Sequence, residues 1–318
     1  MSIVLAHLSD PHILDLRGVP LHRMLLNKRL TGWLNLRLKR GHKHRPSVVE
    51  AMMADLRALA PDHVAITGDL TNLALEPEFE AALAMIERLG MHPSQVSVVP
   101  GNHDLYTEGS RRSRRFGTYF EKYITSDLDL AVELPGGRFP FVRLRDDLAL
   151  IGLSSAVPRL PLIASGRLGE AQRRALREAL DHPEVRSRVP VVLSHHPIVD
   201  PLGRLGPLMR GLEDLADFRD VLDHGRDVLA LHGHWHRRGH ERLAGARGAT
   251  IHRLGATSAS LVHHDEEKMA SYNVYEIDRA SGLVRAPGEG LERRDGALRG
   301  RRAARRGGAD RLRDSTGG

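Results

Sequence analysis

Seven side chains of types that bind metal ions follow directly after short apolar runs of the sequence. They are Asp10, His12, Asp69, Asn102, His195, His234 and His236. The five apolar runs have the length and composition of β-strands. Ligands of open α/β sheets gather outside the carboxyl ends of the strands, so side chains far apart in sequence can meet in one crevice. The pattern therefore predicts a metal centre at this edge of the fold.

Two carboxylates, one amide oxygen and four imidazoles make up this donor set. The mixture suits Mn, Fe, Co or Zn and is too rich in nitrogen for a dedicated Mg or Ca site. Seven donors suffice for two ions only if one carboxylate bridges, and Asp69, alone on its turn, is the candidate. The pairs Asp10 with His12 and His234 with His236 are two residues apart, and on an extended chain each pair can address one ion. Two ions ~3.5–4 Å apart would stabilise both the attacking and the leaving oxygen in phosphoryl transfer.

The elements that must position these donors alternate between strand and helix, which predicts one compact α/β domain ending near residue 284. Gly68, Gly101 and Gly233 let the backbone turn sharply beside the donors. The predicted strands are 3–8, 63–67, 96–100, 141–145, 148–153, 189–194, 227–232, 250–255 and 272–278. The predicted helices are 47–59, 77–89, 110–126, 169–181 and 212–224.

Five motifs in this order resemble the calcineurin-like metallophosphoesterase superfamily over roughly residues 3–260. They are Asp10-x-His12, Gly68-Asp69, Gly101-Asn102-His103-Asp104, His195 before Pro197, and Gly233-His234-x-His236. The strings HLSDPH and GDLTN are most similar to the bacterial branch with cyclic-nucleotide phosphodiesterases and glycerophosphodiesterases. The resemblance implies a four-layer αββα sandwich, in which two mixed sheets lie between helices, and two divalent metal ions as cofactors.

The resemblance also implies roles for individual residues. One ion would be held by Asp10, His12, Asp69 and His236, and the other by Asp69, Asn102, His195 and His234. His103 would contact the phosphate and support or protonate the leaving oxygen, with Asp104 fixing its orientation, which makes these two the catalytic pair. The nucleophile implied is a hydroxide held by the metals.

These features predict a metallophosphoesterase, a phosphoric ester hydrolase that acts as a phosphodiesterase on a small molecule such as a cyclic nucleotide or glycerophosphodiester. The alternative is hydrolysis of a membrane-linked phospholipid or pyrophospholipid. A third hypothesis is a non-catalytic scaffold on the same fold, which would lack ligands of the motif, and none is missing here.

The net charge of +7 is concentrated in two segments. Residues 13–46, the basic insert, hold nine Lys and Arg against Asp15 alone, and residues 285–318, the tail, hold ten Arg against five acidic residues. The remaining chain is net acidic, so nucleic acid is not the expected partner. Apolar residues of the insert recur at helical spacing, which leaves open a helical lid or dimer face, a cap that attracts an anionic substrate, or an interfacial helix on anionic lipid. The Gly-, Ala- and Arg-rich tail is predicted to be disordered.

The absence of Cys excludes disulfides, thiolate metal sites and thiol nucleophiles. No signal peptide or membrane-spanning run is recognisable, so we expect a cytoplasmic protein, with a peripheral position at the inner membrane face as the alternative offered by the insert. Outside the motifs, we expect His7 to lie in the core or just behind the site. His42 and His44 are interpreted as part of a basic loop, and the pair at 263–264 as a solvated loop.

Overall fold

The structure is a computed structural model, and it describes the chain in several ranges. These are residues 2–20, 29, 44–160, 163–200, 206–265, 268–278, 282–285, 288–294 and 297–300. Most of the basic insert, including His42, and the tail beyond residue 300 lie outside the described residues.

The first sheet carries the first three site motifs. Its strands are β1 (Ile3–Leu8), β2 (His63–Ile66), β3 (Val96–Val98), β12 (Ser271–Asp278), β13 (Gly282–Arg285), β14 (Gly288–Arg294) and β15 (Ala297–Gly300). Their order is β15-β14-β12-β1-β2-β3, with β13 also paired to β12. Because β1, β2 and β3 are parallel, their carboxyl ends lie at one edge of the sheet.

The second sheet carries the histidine motifs. Its strands are β6 (Phe141–Arg145), β7 (Leu148–Gly152), β8 (Val189–Leu193), β9 (Val228–His232), β10 (Gly239–Ala244) and β11 (Thr250–Gly255). Their order is β10-β11-β9-β8-β7-β6, in which the four inner strands are parallel and the two outer strands antiparallel. β4 (Val132–Leu134) and β5 (Gly137–Phe139) form a hairpin that is a separate two-stranded sheet.

Helices flank both sheets. They are α1 (Pro46–Leu59), α2 (Glu76–Glu87), α3 (Glu108–Arg112), α4 (Arg115–Tyr119), α5 (Glu170–Asp181), α6 (Pro183–Arg186), α7 (Gly206–Met209) and α8 (Leu215–Leu222). One buried cluster joins Leu5 of the first sheet to Leu193 of the second and includes Met52 of α1. A second cluster packs Leu176 of α5 and Phe218 of α8 on the outer face of the second sheet. These layers confirm the predicted αββα sandwich of two mixed sheets.

The prediction of one continuous helix over residues 110–126 was wrong. The structure has α3, α4 and a 3-10 turn at Glu121–Tyr123 in its place. Arg114 adopts a left-handed backbone conformation with φ 51°, which a continuous helix cannot contain. The strands that were not predicted are β4, β5, β10, β13, β14 and β15.

Residues 288–294 and 297–300, which we expected to be disordered, form β14 and β15. An antiparallel strand is stabilised by backbone hydrogen bonds to its neighbour, so a composition poor in apolar residues does not prevent pairing. The boundary between domain and tail stays a prediction.

Candidate metal centre

The donors lie on the loops that leave the parallel strands, and five of them have left-handed backbone conformations. The φ angles are 54° at Asp10, 47° at His12, 51° at Asp69, 68° at His234 and 50° at His236. The prediction that the donor pairs converge on an extended chain was therefore wrong. Tight left-handed turns, which Asp and His tolerate better than most residues, aim these side chains.

Close backbone approach explains two of the glycines beside the donors. Gly68 has φ 90°, and a Cβ there would lie 2.5 Å from the backbone nitrogen of Gly101. A Cβ on Gly233 would lie 1.9 Å from Ser9 Oγ and 2.3 Å from Asp10 Oδ2. A side chain at Gly68 would push apart two loops of the first sheet, and one at Gly233 would push the second sheet away from the loop after β1.

Four donors form the first group: Asp10, His12, Asp69 and His236. His236 Nε2 lies 3.0 Å from Asp10 Oδ1 and 3.2 Å from His12 Nε2. His12 Nε2 lies 3.7 Å from Asp10 Oδ1 and 3.9 Å from Asp69 Oδ2. The ligand atoms of Asp10, His12 and His236 all lie within 4.8 Å of one another and could hold one ion, and Asp69 borders this set through His12.

The second group contains Asp69, Asn102, His195 and His234. His195 Nε2 lies 3.2 Å from Asn102 Oδ1, 3.2 Å from His234 Nδ1 and 3.4 Å from Asp69 Oδ2. Asp69 thus faces both groups, while His234 and His236 fall into different groups. The argument that this histidine pair addresses one ion was wrong, because the two turns send the rings to opposite sides.

Backbone carbonyls fix the tautomers of the imidazoles. His195 Nδ1 donates to Thr67 O at 2.7 Å, and His234 Nε2 donates to Arg210 O at 2.6 Å. When the ring is neutral, the nitrogen that faces the group then carries a lone pair rather than a proton. Lone pairs and carboxylate oxygens that converge with few protons among them repel one another, so this arrangement fits divalent cations.

Burial and neighbouring charges act in opposite directions on several of these groups. Burial lowers the pKa of His12 and of His234 well below the ordinary value, which keeps both rings neutral. Burial opposes ionisation of Asp69, yet His195 lowers the pKa of that carboxyl well below its usual range. Neutral imidazoles beside ionised carboxylates are the protonation states that metal ligation requires. His195 differs: burial lowers its pKa, but the charge of Asp69 raises it further, to about 9, so a metal ion must displace a proton from this ring.

His103 stands at the edge of the first group. Its Nδ1 donates to Asn72 O at 2.7 Å, and its backbone N–H donates to Asp69 Oδ1 at 2.7 Å. Its ring stacks on Tyr106 with the centroids 5.3 Å apart. One of its nitrogens lies close enough to His12 and Asp69 to join a metal site, so geometry permits a ligand role as well as the predicted contact with substrate.

Asp104 does not orient the His103 ring as we expected. Its carboxylate accepts hydrogen bonds from the backbone N–H groups of Leu70, Thr71 and Gly101 and from Thr71 Oγ1. These contacts join the loop after β2 to the loop after β3, so Asp104 positions Asp69 and Asn102 through their backbones. The orienting acceptor for His103 is a carbonyl, which leaves no mark in a sequence.

Two further histidines lie near the site. His7 is buried, and its Nε2 bonds Thr67 Oγ1 at 2.8 Å, so it supports the residue whose carbonyl holds His195; its expected place behind the site is confirmed. His44, interpreted as part of a basic loop, has its ring 5.1 Å from that of His12. Sequence reasoning missed this position because the neighbouring insert residues are uniformly basic.

Comparisons with known proteins agree with this geometry. The family model described as calcineurin-like phosphoesterase matches residues 3–238. A crystal structure of a dimetal phosphatase from Danio rerio is similar with a TM-score of 0.55 and 13% identity, over 90% of this chain and 98% of that one. The purple acid phosphatase PPD1 from yellow lupin has a TM-score of 0.49 and 12% identity, over 90% of this chain and 53% of that one. No curated protein sequence gave a match.

Among the helices of the described residues, none is both long enough and apolar enough to cross a membrane.

Proposed function

Because the chain belongs to the calcineurin-like phosphoesterase family, we propose that it uses two divalent metal ions to hydrolyse small phosphodiesters such as a cyclic nucleotide or a glycerophosphodiester. The observation that carries this proposal is the pair of donor groups that share Asp69, with His103 beside them. The similarity of HLSDPH and GDLTN to bacterial diesterases supports the substrate class.

The protein residues divide the work of the proposed reaction. The ions, when bound, supply Lewis acidity, which makes water a nucleophile near neutral pH and offsets charge on the phosphoryl group. His103 holds a proton at Nδ1 toward Asn72 O, so its Nε2 is the atom that can exchange a proton with the leaving oxygen. Asp104 keeps the loops of Asp69 and Asn102 together and takes no part in proton transfer.

The test is hydrolysis of bis(p-nitrophenyl) phosphate, p-nitrophenyl phosphate and 3′,5′-cyclic AMP by metal-stripped protein restored with Mn²⁺. We expect metal-dependent turnover that favours the diesters and disappears in Asp69→Ala. Preference for the monoester would overturn the diesterase proposal in favour of the activity named for the Danio rerio phosphatase. Failure to bind metal would overturn the enzyme proposal altogether.

A second candidate substrate is a membrane-linked phospholipid or pyrophospholipid. Four large apolar side chains stand exposed among the described residues: Leu14, Leu160, Leu208 and Met209. Leu14 lies on the loop after β1, Leu160 on the segment after β7, and Leu208 and Met209 in α7. Met209 precedes Arg210, whose carbonyl accepts a hydrogen bond from His234. Exposed apolar side chains, together with the basic residues that the sequence places at 13–46, support binding to anionic lipid.

Sedimentation with liposomes distinguishes this candidate from the first. We expect binding to vesicles with phosphatidylglycerol and not to vesicles of phosphatidylcholine alone if the lipid candidate holds, with Leu208→Ser/Met209→Ser weakening it. Equal absence of sedimentation with both vesicles would remove the lipid candidate and leave the small diester.

A further inference from the structure

His196 follows the donor His195 directly, but its ring nitrogens bond residues outside the donor set. The ring is fully buried, and it stands at 90° to the ring of His195 with the centroids 5.2 Å apart. His196 Nε2 donates to Ala164 O at 2.9 Å, because a carbonyl can only accept, and Nδ1 lies 2.8 Å from Ser155 Oγ. Both nitrogens are thus engaged, and His196 is not a ligand in this arrangement.

Ala164 connects His196 to the segment that orients the donor His234. The backbone N–H of Ala164 donates to Met209 O at 2.8 Å. The next residue, Arg210, has the carbonyl that accepts from His234 Nε2 at 2.6 Å. Hydrogen bonds therefore lead from the ring of His196, through two loop segments, to the ring of His234.

Close packing leaves the His196 ring little freedom to turn. Its centroid lies 4.5 Å from that of the His234 ring. On the other segment, a Cβ added to Gly166 would lie only 2.4 Å from His196 Nδ1, so the backbone there passes directly against the imidazole. Rotation of the ring would also leave buried polar atoms without partners. The ring therefore has one orientation, which fixes where its Nε2–H meets Ala164 O.

The orientation of His234 depends on where the Arg210 carbonyl lies, because that carbonyl accepts the proton of its Nε2. We propose that His196 is a positioning residue for the second donor group, where it holds the carbonyl that orients His234 without contacting an ion. His236 of the first group is held instead by Asp10 and His12, so that group should be affected less. The inference rests on the proposed binding of two ions.

The test uses two polar replacements of His196 in the full-length protein. The amide nitrogen of His196→Gln can take the place of Nε2 and keep the bond to Ala164 O, whereas the shorter amide of His196→Asn can replace only Nδ1. The matched control is His63→Asn. His63 is also buried and bonds a serine, Ser97 Oγ at 2.9 Å, but it begins β2, at the opposite end of that strand from Asp69.

Two measurements follow the ions separately. Calorimetric titration of the metal-stripped protein with Mn²⁺ resolves the binding steps, and His234→Ala identifies the step that belongs to the second group. Electron paramagnetic resonance distinguishes a coupled pair of Mn²⁺ ions from isolated ions. We expect His196→Asn to bind the second-group ion about 10- to 100-fold more weakly, the range for loss of a residue that orients a metal ligand. The signal of the coupled pair should give way to that of isolated Mn²⁺.

His196→Gln and His63→Asn should bind both ions as the wild type does. Unchanged affinity for the second-group ion in His196→Asn would overturn the inference. Equal weakening of both ions, or the same weakening in His63→Asn, would also overturn it, because a general loss of packing would then explain the result. If His196→Asn does not fold, His196→Gln decides: weaker binding of the second-group ion despite the retained bond to Ala164 would contradict the inference.

The metal titration separates this inference from the proposed function. Wild-type protein that binds two ions in a His196-dependent manner but hydrolyses none of the three esters would support the inference and overturn the phosphodiesterase proposal. Hydrolysis of a diester by protein whose metal affinity is insensitive to His196→Asn would do the reverse.

Discussion

The two sheets contribute different chemistry to the same centre. The first sheet supplies every oxygen donor of the set through Asp10, Asp69 and Asn102, whereas the second supplies only imidazoles. Each donor group draws on both sheets: His236 reaches Asp10, and His195 reaches Asp69. Both donor groups as described need residues from both sheets, so the geometry of the centre depends on how one sheet packs against the other.

The halves also differ in how they are held. Four hydrogen bonds to the Asp104 carboxylate connect the oxygen-bearing loops of the first sheet to each other. In the second sheet, His195 and His234 each depend on one backbone carbonyl. We call the first-sheet donors the oxygen half and the second-sheet histidines the nitrogen half. We infer that the oxygen half supplies the negative charge of the centre and is held more rigidly, while the nitrogen half completes the coordination.

The largest effect should come from the carboxylate that faces both groups. Asp69→Asn removes a charge from each group, and we expect at least about 10³-fold loss in kcat/KM together with loss of bound metal, since metal ions supply several kcal/mol of transition-state stabilisation. Metal analysis and kinetics on a diester check this, with the exposed Asp129→Asn as the control. Full metal content in Asp69→Asn would contradict the assignment of Asp69 to both groups.

His103→Ala separates chemistry from coordination within the first half. We expect both metals to remain and turnover to fall about 10²- to 10⁴-fold, the range for loss of a general acid. A leaving group of low pKa, such as p-nitrophenolate, should reduce the loss relative to an alkyl ester because it needs no proton. If metal is lost instead, His103 is a ligand of the first group.

Asp104→Asn tests the rigidity of the oxygen half. The Asn side chain would place an NH₂ group next to backbone N–H donors. We therefore expect the free energy of unfolding to fall by about 1–3 kcal/mol and the activity to fall about 10-fold. Chemical denaturation and kinetics of the metal-loaded variant provide the measurement. A variant as stable as the wild type would show that the loops are held by other contacts.

The smallest effect concerns how protein stability depends on pH through Glu78, which binds the loop that carries Asn72. Glu78 Oε2 accepts from the backbone N–H groups of Leu73 and Leu75, and burial raises the pKa of Glu78 from 4.5 to about 8. The folded state therefore retains a proton that the unfolded state releases above pH 4.5. The contribution of Glu78 to the free energy of unfolding is complete below pH 4.5 and is lost as the pH rises through about 8.

Glu78→Gln should remove this dependence, since Gln keeps an oxygen acceptor and does not titrate. Denaturant midpoints of wild type and variant, measured across the same pH interval, should diverge as the wild type loses stability. Parallel curves would show that Glu78 ionises normally.

The candidate donors, which the structure brings together, could be predicted from sequence because a strand that ends in a carboxylate or histidine leaves a local pattern, and the order of the motifs reinforced it. The contacts that orient these donors could not be predicted from sequence. Asn72 O and Arg210 O act through the backbone, which has the same chemistry at every residue. The approach of His44 to His12 depends on how a long insert returns to the fold, and periodicity within the insert does not specify that.

The left-handed turns at the five donors have a consequence for evolution. A non-glycine residue in this conformation costs about 1 kcal/mol or more, so the unmetallated fold carries a standing cost at Asp10, His12, Asp69, His234 and His236. Replacement of His236 by glycine relieves part of that cost, and drift in a lineage that no longer needs the reaction would favour it. An inactive descendant could therefore be more thermostable than its working ancestor.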